Sequence, residues 1–172
     1  MRAMRRTLDF LYDAAAWLGA LLMIGVLAMV LLSIFGRLLH FHVRGTDAYA
    51  GYCMAGAGFL ALAHTLKKNE HIRVTLLLNA LPPGGKKVLE VWSLCAAVLL
   101  SGLFCFYSIK LAWQSWDFHD ISTGNDATPL WIPQIGMALG TLVLLIAFVD
   151  ELVMELRGQR ATATSEEALH NE

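Results

Sequence analysis

Apolar and polar positions fall in blocks along this chain. Four long apolar runs, at about residues 14–36, 48–66, 88–109 and 130–149, stand between short charged segments. The first run is the clearest: 23 residues from Ala14 to Gly36 carry no charge. As a helix this run is about 34 Å long at ~1.5 Å per residue, enough to cross a hydrocarbon core of ~30 Å. A soluble helix of that length shows a polar face, and this one does not. The pattern predicts an all-α membrane protein with four transmembrane helices.

The segment between the second and third runs has a different pattern. Lys67 to Leu81 reads KKNEHIRVTLLLNAL before Pro82-Pro83-Gly84-Gly85 breaks it. Ile72, Leu76, Leu77 and Leu81 are apolar, whereas Lys67, Lys68, Glu70 and Arg73 are charged. The segment is too short and too charged to span. The expectation is an amphipathic helix over about 67–81 lying in the interface plane, with its basic residues toward lipid headgroups. Residues 1–160 read as a single four-helix membrane domain. The polar tail 161–172 is expected to be disordered.

Charge sets the orientation. The ten basic residues Arg2, Arg5, Arg6, Lys67, Lys68, Arg73, Lys86, Lys87, Arg157 and Arg160 fall on one side of the four runs. Arg37, Arg44 and Lys110 fall on the other. The positive-inside rule then places both termini in the cytoplasm. Net charge is −1, so no Lys/Arg excess exists to neutralise phosphates, which excludes a basic nucleic-acid binder. The basic start and the apolar run after it resemble a signal peptide. That run exceeds an h-region of about 7–15 residues and ends in Ser33-Ile34-Phe35-Gly36-Arg37, so it is expected to be retained.

Three of the runs carry small residues at helical spacing: Gly51, Ala55, Gly58 and Leu62 in the second, Ser93, Ala97, Ser101 and Cys105 in the third, and Gly136 and Gly140 in the fourth. Helices in lipid associate where small side chains let backbones approach. These stripes predict packing within a bundle or against a larger partner. Trp17 and Trp92 mark one interface, and Tyr107, Trp113, Trp116 and Trp131 the other. Arg5, Asp9 and Asp13 share one face of a helix leading into the first run, and Lys86 and Glu90 do the same before the third. Cys53, Cys95 and Cys105 have no metal-like spacing and suit packing.

Little chemistry is visible inside the runs. A proton-coupled exporter needs an ionisable residue within a span, and Glu90 and Asp150 lie only at the ends. A haem anchor needs two axial ligands at matching depth, and His64 alone lies within a run, near its end. His40 and His42 make a weak metal pair that His119, Asp117 and Asp120 would have to complete. No nucleophile with a base, P-loop or dinucleotide fingerprint is present. A stand-alone four-span exporter and a redox anchor remain the alternatives to a subunit that supports a moving partner.

The stretch Gly58 to Pro83, GFLALAHTLKKNEHIRVTLLLNALPP, resembles the second span and cytoplasmic helix of the small (DctQ-type) subunit of tripartite ATP-independent periplasmic (TRAP) transporters. The most specific piece is His71-Ile72-Arg73-Val74; where the family often has Asp next, this chain has Thr75. Phe35-Gly36-Arg37 at the end of the first run and Thr128-Pro129-Leu130-Trp131-Ile132-Pro133 at the start of the fourth are similar to the family's pattern. The acidic residues usual before the second span are reduced to Asp47. The resemblance covers about residues 8–156.

The resemblance implies sodium-driven uptake of organic acids across the bacterial inner membrane. A periplasmic binding protein captures the anion, and a large multi-span M subunit carries it by an elevator movement. The small subunit is a static scaffold beside M, and M is expected to be a separate polypeptide. No cofactor or catalysis is expected here, and sodium coupling belongs to M. Arg37, Asp47, Glu70, His71, Arg73, Trp131 and Pro133 become candidate partner contacts. Asp117, Asp120 and Asp126, in the loop from Trp116 to Pro129, become candidates for contact with the binding protein.

Overall fold

The computed structural model of the chain describes residues 2–41, 43–68, 83–124 and 126–157. They form four helices: α1 (Arg2–Leu38), α2 (Thr46–Lys67), α3 (Pro83–Asp117) and α4 (Trp131–Leu156). The anticipated in-plane helix over 67–81 falls, beyond the end of α2, outside the described residues, as does the tail from 161.

Helices α1, α3 and α4 are long and apolar enough to cross a membrane; α2 is not among them. Its Gly, Tyr, Thr and His residues lower its hydropathy. Helices α1 and α3 run well past the apolar runs they contain. At ~1.5 Å per residue they are about 55 and 52 Å long, against a hydrocarbon core of ~30 Å. Nothing between Arg2 and Leu38 breaks a helix, and Lys110, Gln114 and Asp117 extend α3 as readily as apolar residues do. Membrane hydropathy marks where lipid ends, and a helix ends only at a breaker or cap. Here both long helices close on a left-handed residue, His40 (φ 56°) after α1 and His119 (φ 54°) after α3.

The helices are arranged in the order α1–α2–α4–α3, and α1 also meets α4 lightly. α1 and α2 are antiparallel, α2 and α4 parallel, and α4 and α3 antiparallel. The tightest approach joins α2 and α4. A Cβ placed on Gly140 would lie 2.6 Å from the Phe59 backbone carbon, and one on Gly136 would lie 3.3 Å from the Gly56 Cα. Gly56 also faces α1, where its Cβ would lie 2.9 Å from the Leu22 Cδ1. Among the described residues, Gly51 and Gly58 have open space around their Cβ positions. Around this crossing Tyr12, Ala15, Leu60, Ala63, Leu66, Val143, Leu144 and Ala147 make one buried cluster.

The seams of α1 and α3 repeat every 3.5 residues. The less exposed positions of α3 include Leu94, Val98, Ser101, Cys105, Ser108, Ala112 and Ser115, and those of α1 include Ala15, Gly19, Leu22, Val26, Met29, Ser33 and Gly36. That period keeps one stripe against a neighbour as helices coil left-handed. Ser93 is exposed and Ala97 half-buried, because a four-residue step drifts about 40° per turn-and-a-bit from a 3.6-residue helix and meets the seam only at Ser101 and Cys105. The buried hydroxyls are satisfied within their own helices: Ser101 and Ser108 donate to the carbonyls of Val98 (3.1 Å) and Phe104 (2.8 Å), and Thr141 to that of Ala138 (3.0 Å). Where no water is available, such bonds remove the cost of a buried polar group.

The Gly140 contact generates a direct expectation. Gly140→Ala forces α4 away from the α2 backbone and lowers stability by about 1–3 kcal/mol, read as a drop in the thermal unfolding midpoint of the purified chain in detergent. Gly58→Ala, in open space, is neutral or slightly stabilising.

Candidate functional site

Polar side chains gather at the two ends of the bundle. At the end where α1 turns into α2, the loop from α3 to α4 folds back on itself. Ile121 and Pro129 form an antiparallel bridge, with Ser122 N donating to Thr128 O (2.8 Å) and Leu130 N to Asp120 O (3.0 Å). Asp126 is the hub of this loop. Its carboxylate accepts from Ser122 Oγ at 2.8 Å and from Tyr52 Oη, on α2, at 3.0 Å. The Thr128 hydroxyl lies 3.2 Å from that of Tyr49 and also bonds Asp126. Bonds from Thr128 first, then Ser122 and Tyr52, hold the Asp126 carboxyl down at about 2, against an ordinary value of 3.8.

Gly45 makes this contact possible. It stands before α2 with φ +80°, and a Cβ there would lie 2.7 Å from the Asp126 Cβ. Only glycine takes that backbone at no cost and leaves room for the neighbouring loop. Beside it is a cavity of about 260 Å³, lined by Ser33, Gly36, Arg37, Gly45, Thr46, Asp47 and Gly124 among others. Arg37 and Asp47 thus line one cavity, but no ion pair joins them among the described residues; Asp47 accepts from Ser33 Oγ at 3.4 Å.

Asp117 and Asp120 are exposed around the end of α3, so the three aspartates of this loop divide into one turned inward and two turned out. Trp131 stacks edge-on against Trp116 with ring centroids 4.8 Å apart, joining the ends of α3 and α4. Pro133 sits in the first turn of α4, where its missing N–H leaves no bond unmade. His40 and His119 occupy the helix-terminating positions given above. Among the described residues no group of three or more His, Cys, Asp or Glu could hold a metal ion.

The opposite end carries an ionic set between α1 and α2. Lys67 Nζ lies 3.0 Å from Asp9 and 3.8 Å from Asp13, and 5.8 Å from the centre of the Tyr12 ring. His64 Nδ1 is 3.5 Å from Asp13, an ion pair only when the imidazole is protonated. The spacing of Arg5, Asp9 and Asp13 suggests a helix face, and that face meets α2: the carboxylates turn to Lys67, while Arg5 lies against Met154 of α4. Sequence spacing shows neither that link nor the Asp126 hub, since both join residues more than 50 positions apart. Glu70, His71 and Arg73 lie outside the described residues.

The pH dependence of the hub follows from the sign of its shift. The folded carboxylate binds a proton less tightly than the unfolded one, so it stabilises the loop at every pH above 3.8. That contribution is lost as pH falls through 3.8 toward about 2. Amide protection at Ser122 and Leu130, measured by hydrogen exchange, should therefore hold at pH 5 and fall below pH ~3. In Asp126→Asn it should be weaker at pH 5 and change little on acidification.

Comparison with known proteins agrees with this architecture. The family model described as "Tripartite ATP-independent periplasmic transporters, DctQ component" matches residues 26–158, which include part of α1 and all of α2, α3 and α4. A search of curated proteins finds no match. With four helices in one bundle, three of them long and apolar enough to cross a membrane, and a family match over most of its length, the chain belongs to the DctQ family, the small membrane component of TRAP transporters.

Proposed function

We propose that this chain is the static partner of the large M subunit in a sodium-driven transporter for organic acids. It lies in the bacterial inner membrane with both termini in the cytoplasm, and its Asp117–Asp120 rim helps to seat the periplasmic binding protein. One observation carries the reading: along all four helices, Asp, Glu, Lys, Arg and His occur only toward the ends, and none lies at mid-depth. Such groups mark proton relays and ion pathways within the bilayer, and we assign the solute and ion steps to M. What this chain offers instead is apolar surface. Leu21, Ile24 and Leu27 on α1 and Leu99, Leu103 and Phe106 on α3 are exposed along the helices, available to lipid and to M.

The seating role rests on the division among the loop aspartates. Asp126 is spent on holding the loop, which leaves Asp117 and Asp120 outward on a braced edge. If the segment 67–81 forms the in-plane helix that its sequence suggests, Glu70, His71 and Arg73 would hold M's cytoplasmic edge.

Two measurements test this. Vesicles containing this chain alone should take up no organic acid, whereas adding M and the binding protein should give sodium-dependent uptake; accumulation by the chain alone would refute the supporting role. In the full system, Asp117→Ala with Asp120→Ala should raise the binding-protein concentration for half-maximal uptake by about tenfold, as two rim charges together supply. Unchanged uptake and docking would remove the seating role and leave the loop as a cap on the bundle.

A further inference from the structure

We infer that the groove between α1 and α2 at the Lys67 end binds one phospholipid with a primary ammonium headgroup. The groove, of about 370 Å³, is lined by Asp13, Ala16, Trp17, Ala20 and His64. Its lining changes character with depth. Asp13 stands just before the uncharged run, at the level of headgroups, while Ala16 and Ala20 lie about 4 and 10 Å deeper at ~1.5 Å per residue. Two methyl-sized side chains one turn apart leave a trough along α1. The Trp17 ring, 78% exposed, forms its wall. A charged mouth above a narrow apolar trough suits a polar head with an acyl chain below it, and an indole at this level is at home in the interface.

Asp13, which lines the groove, and its neighbours Asp9 and Lys67 beside it select the head. Asp9 and Asp13 bring two negative charges against the single positive charge of Lys67, with histidine counted as neutral. Lys67 is closest to Asp9, at 3.0 Å, and stands 3.8 Å from Asp13, beyond hydrogen-bond reach. The Asp13 carboxylate, 55% exposed, therefore keeps acceptor capacity for another cation. Lys67 carries three N–H donors and directs one of them at Asp9, so it has one to give a phosphate oxygen. An anion and a cation side by side complement a head in which ammonium and phosphate are two carbons apart. A choline head has no N–H to donate, and a glycerol head has no cation for Asp13. The occupant is thus phosphatidylethanolamine rather than phosphatidylcholine or phosphatidylglycerol.

The test is native mass spectrometry of the purified full-length chain after equilibration with mixed micelles holding equal amounts of phosphatidylethanolamine, phosphatidylcholine and phosphatidylglycerol of the same acyl composition. The expected result is retention of one phosphatidylethanolamine about fivefold over either competitor, the factor a partly exposed charge pair supplies. Asp13→Asn should abolish that preference. Ala20→Phe, which fills the trough and leaves the charges alone, should reduce retention of all three lipids. Equal retention by the native chain, preference for phosphatidylglycerol, or an undiminished preference in Asp13→Asn overturns the proposal. If Asp13→Asn does not fold, undiminished lipid retention in Ala20→Phe overturns it.

Discussion

The fold depends on one close approach, that of α2 to α4. In lipid, two apolar helices gain nothing by leaving the solvent, because the solvent is as apolar as they are. Their association rests on van der Waals contact, which decays within a fraction of an ångström. Gly136 and Gly140 let the two backbones meet, since a Cβ on either would press on the α2 backbone at Gly56 and Phe59. Everything else is arranged around this pair: α1 lies along the other side of α2, with Leu22 over Gly56, and α3 lies against α4 with Leu145 near Gly102.

All four helices were legible as apolar runs, but only α1, α3 and α4 carry the length and hydropathy that a hydrocarbon slab demands. Their packing faces were legible only in part. In α4, Gly136 and Gly140 stand out among bulky neighbours, and both lie against α2. In α2, four adjacent small residues, Ala55-Gly56-Ala57-Gly58, offer every face equally, and composition cannot choose among them. The structure presents Gly56 and Ala57 to neighbours and leaves Gly51 and Gly58 open. In α3 the difficulty was one of period. A step of four through Ser93, Ala97, Ser101 and Cys105 looks like a helical stripe, but a supercoiled seam advances by 3.5, through Leu94, Ser101, Ser108 and Ser115.

The loops were less legible for a different reason. Asp117, Asp120 and Asp126 look alike in sequence, three acids in one polar segment. Their roles separate only when the α3–α4 loop meets Tyr52, Tyr49 and Gly45, a meeting that local pattern does not encode. The resemblance to the family reached these residues through Thr128 to Pro133 without distinguishing them. Likewise His40 and His119 read as metal-ligating types, yet both end a helix in the left-handed region, a conformation that favours short polar side chains but is set by the backbone that follows.

The polar contacts fall where they can be made without a large desolvation cost. At one end Lys67 ties α2 to Asp9 and Asp13 of α1; at the other, Asp126 ties the α3–α4 loop to Tyr52 of α2. Both sets lie near water, where a single ion pair contributes about 0–1 kcal/mol, so neither stabilises the bundle much. Their effect is on register. A seam of alanine, glycine and serine is smooth, and two helices packed along it can slide or rotate at little cost. Directional bonds at both ends of α2 remove that freedom. A bundle fixed in this way resists shear along its own helices. Dispersion sets how close the helices come, and polar bonds at the two ends set their alignment.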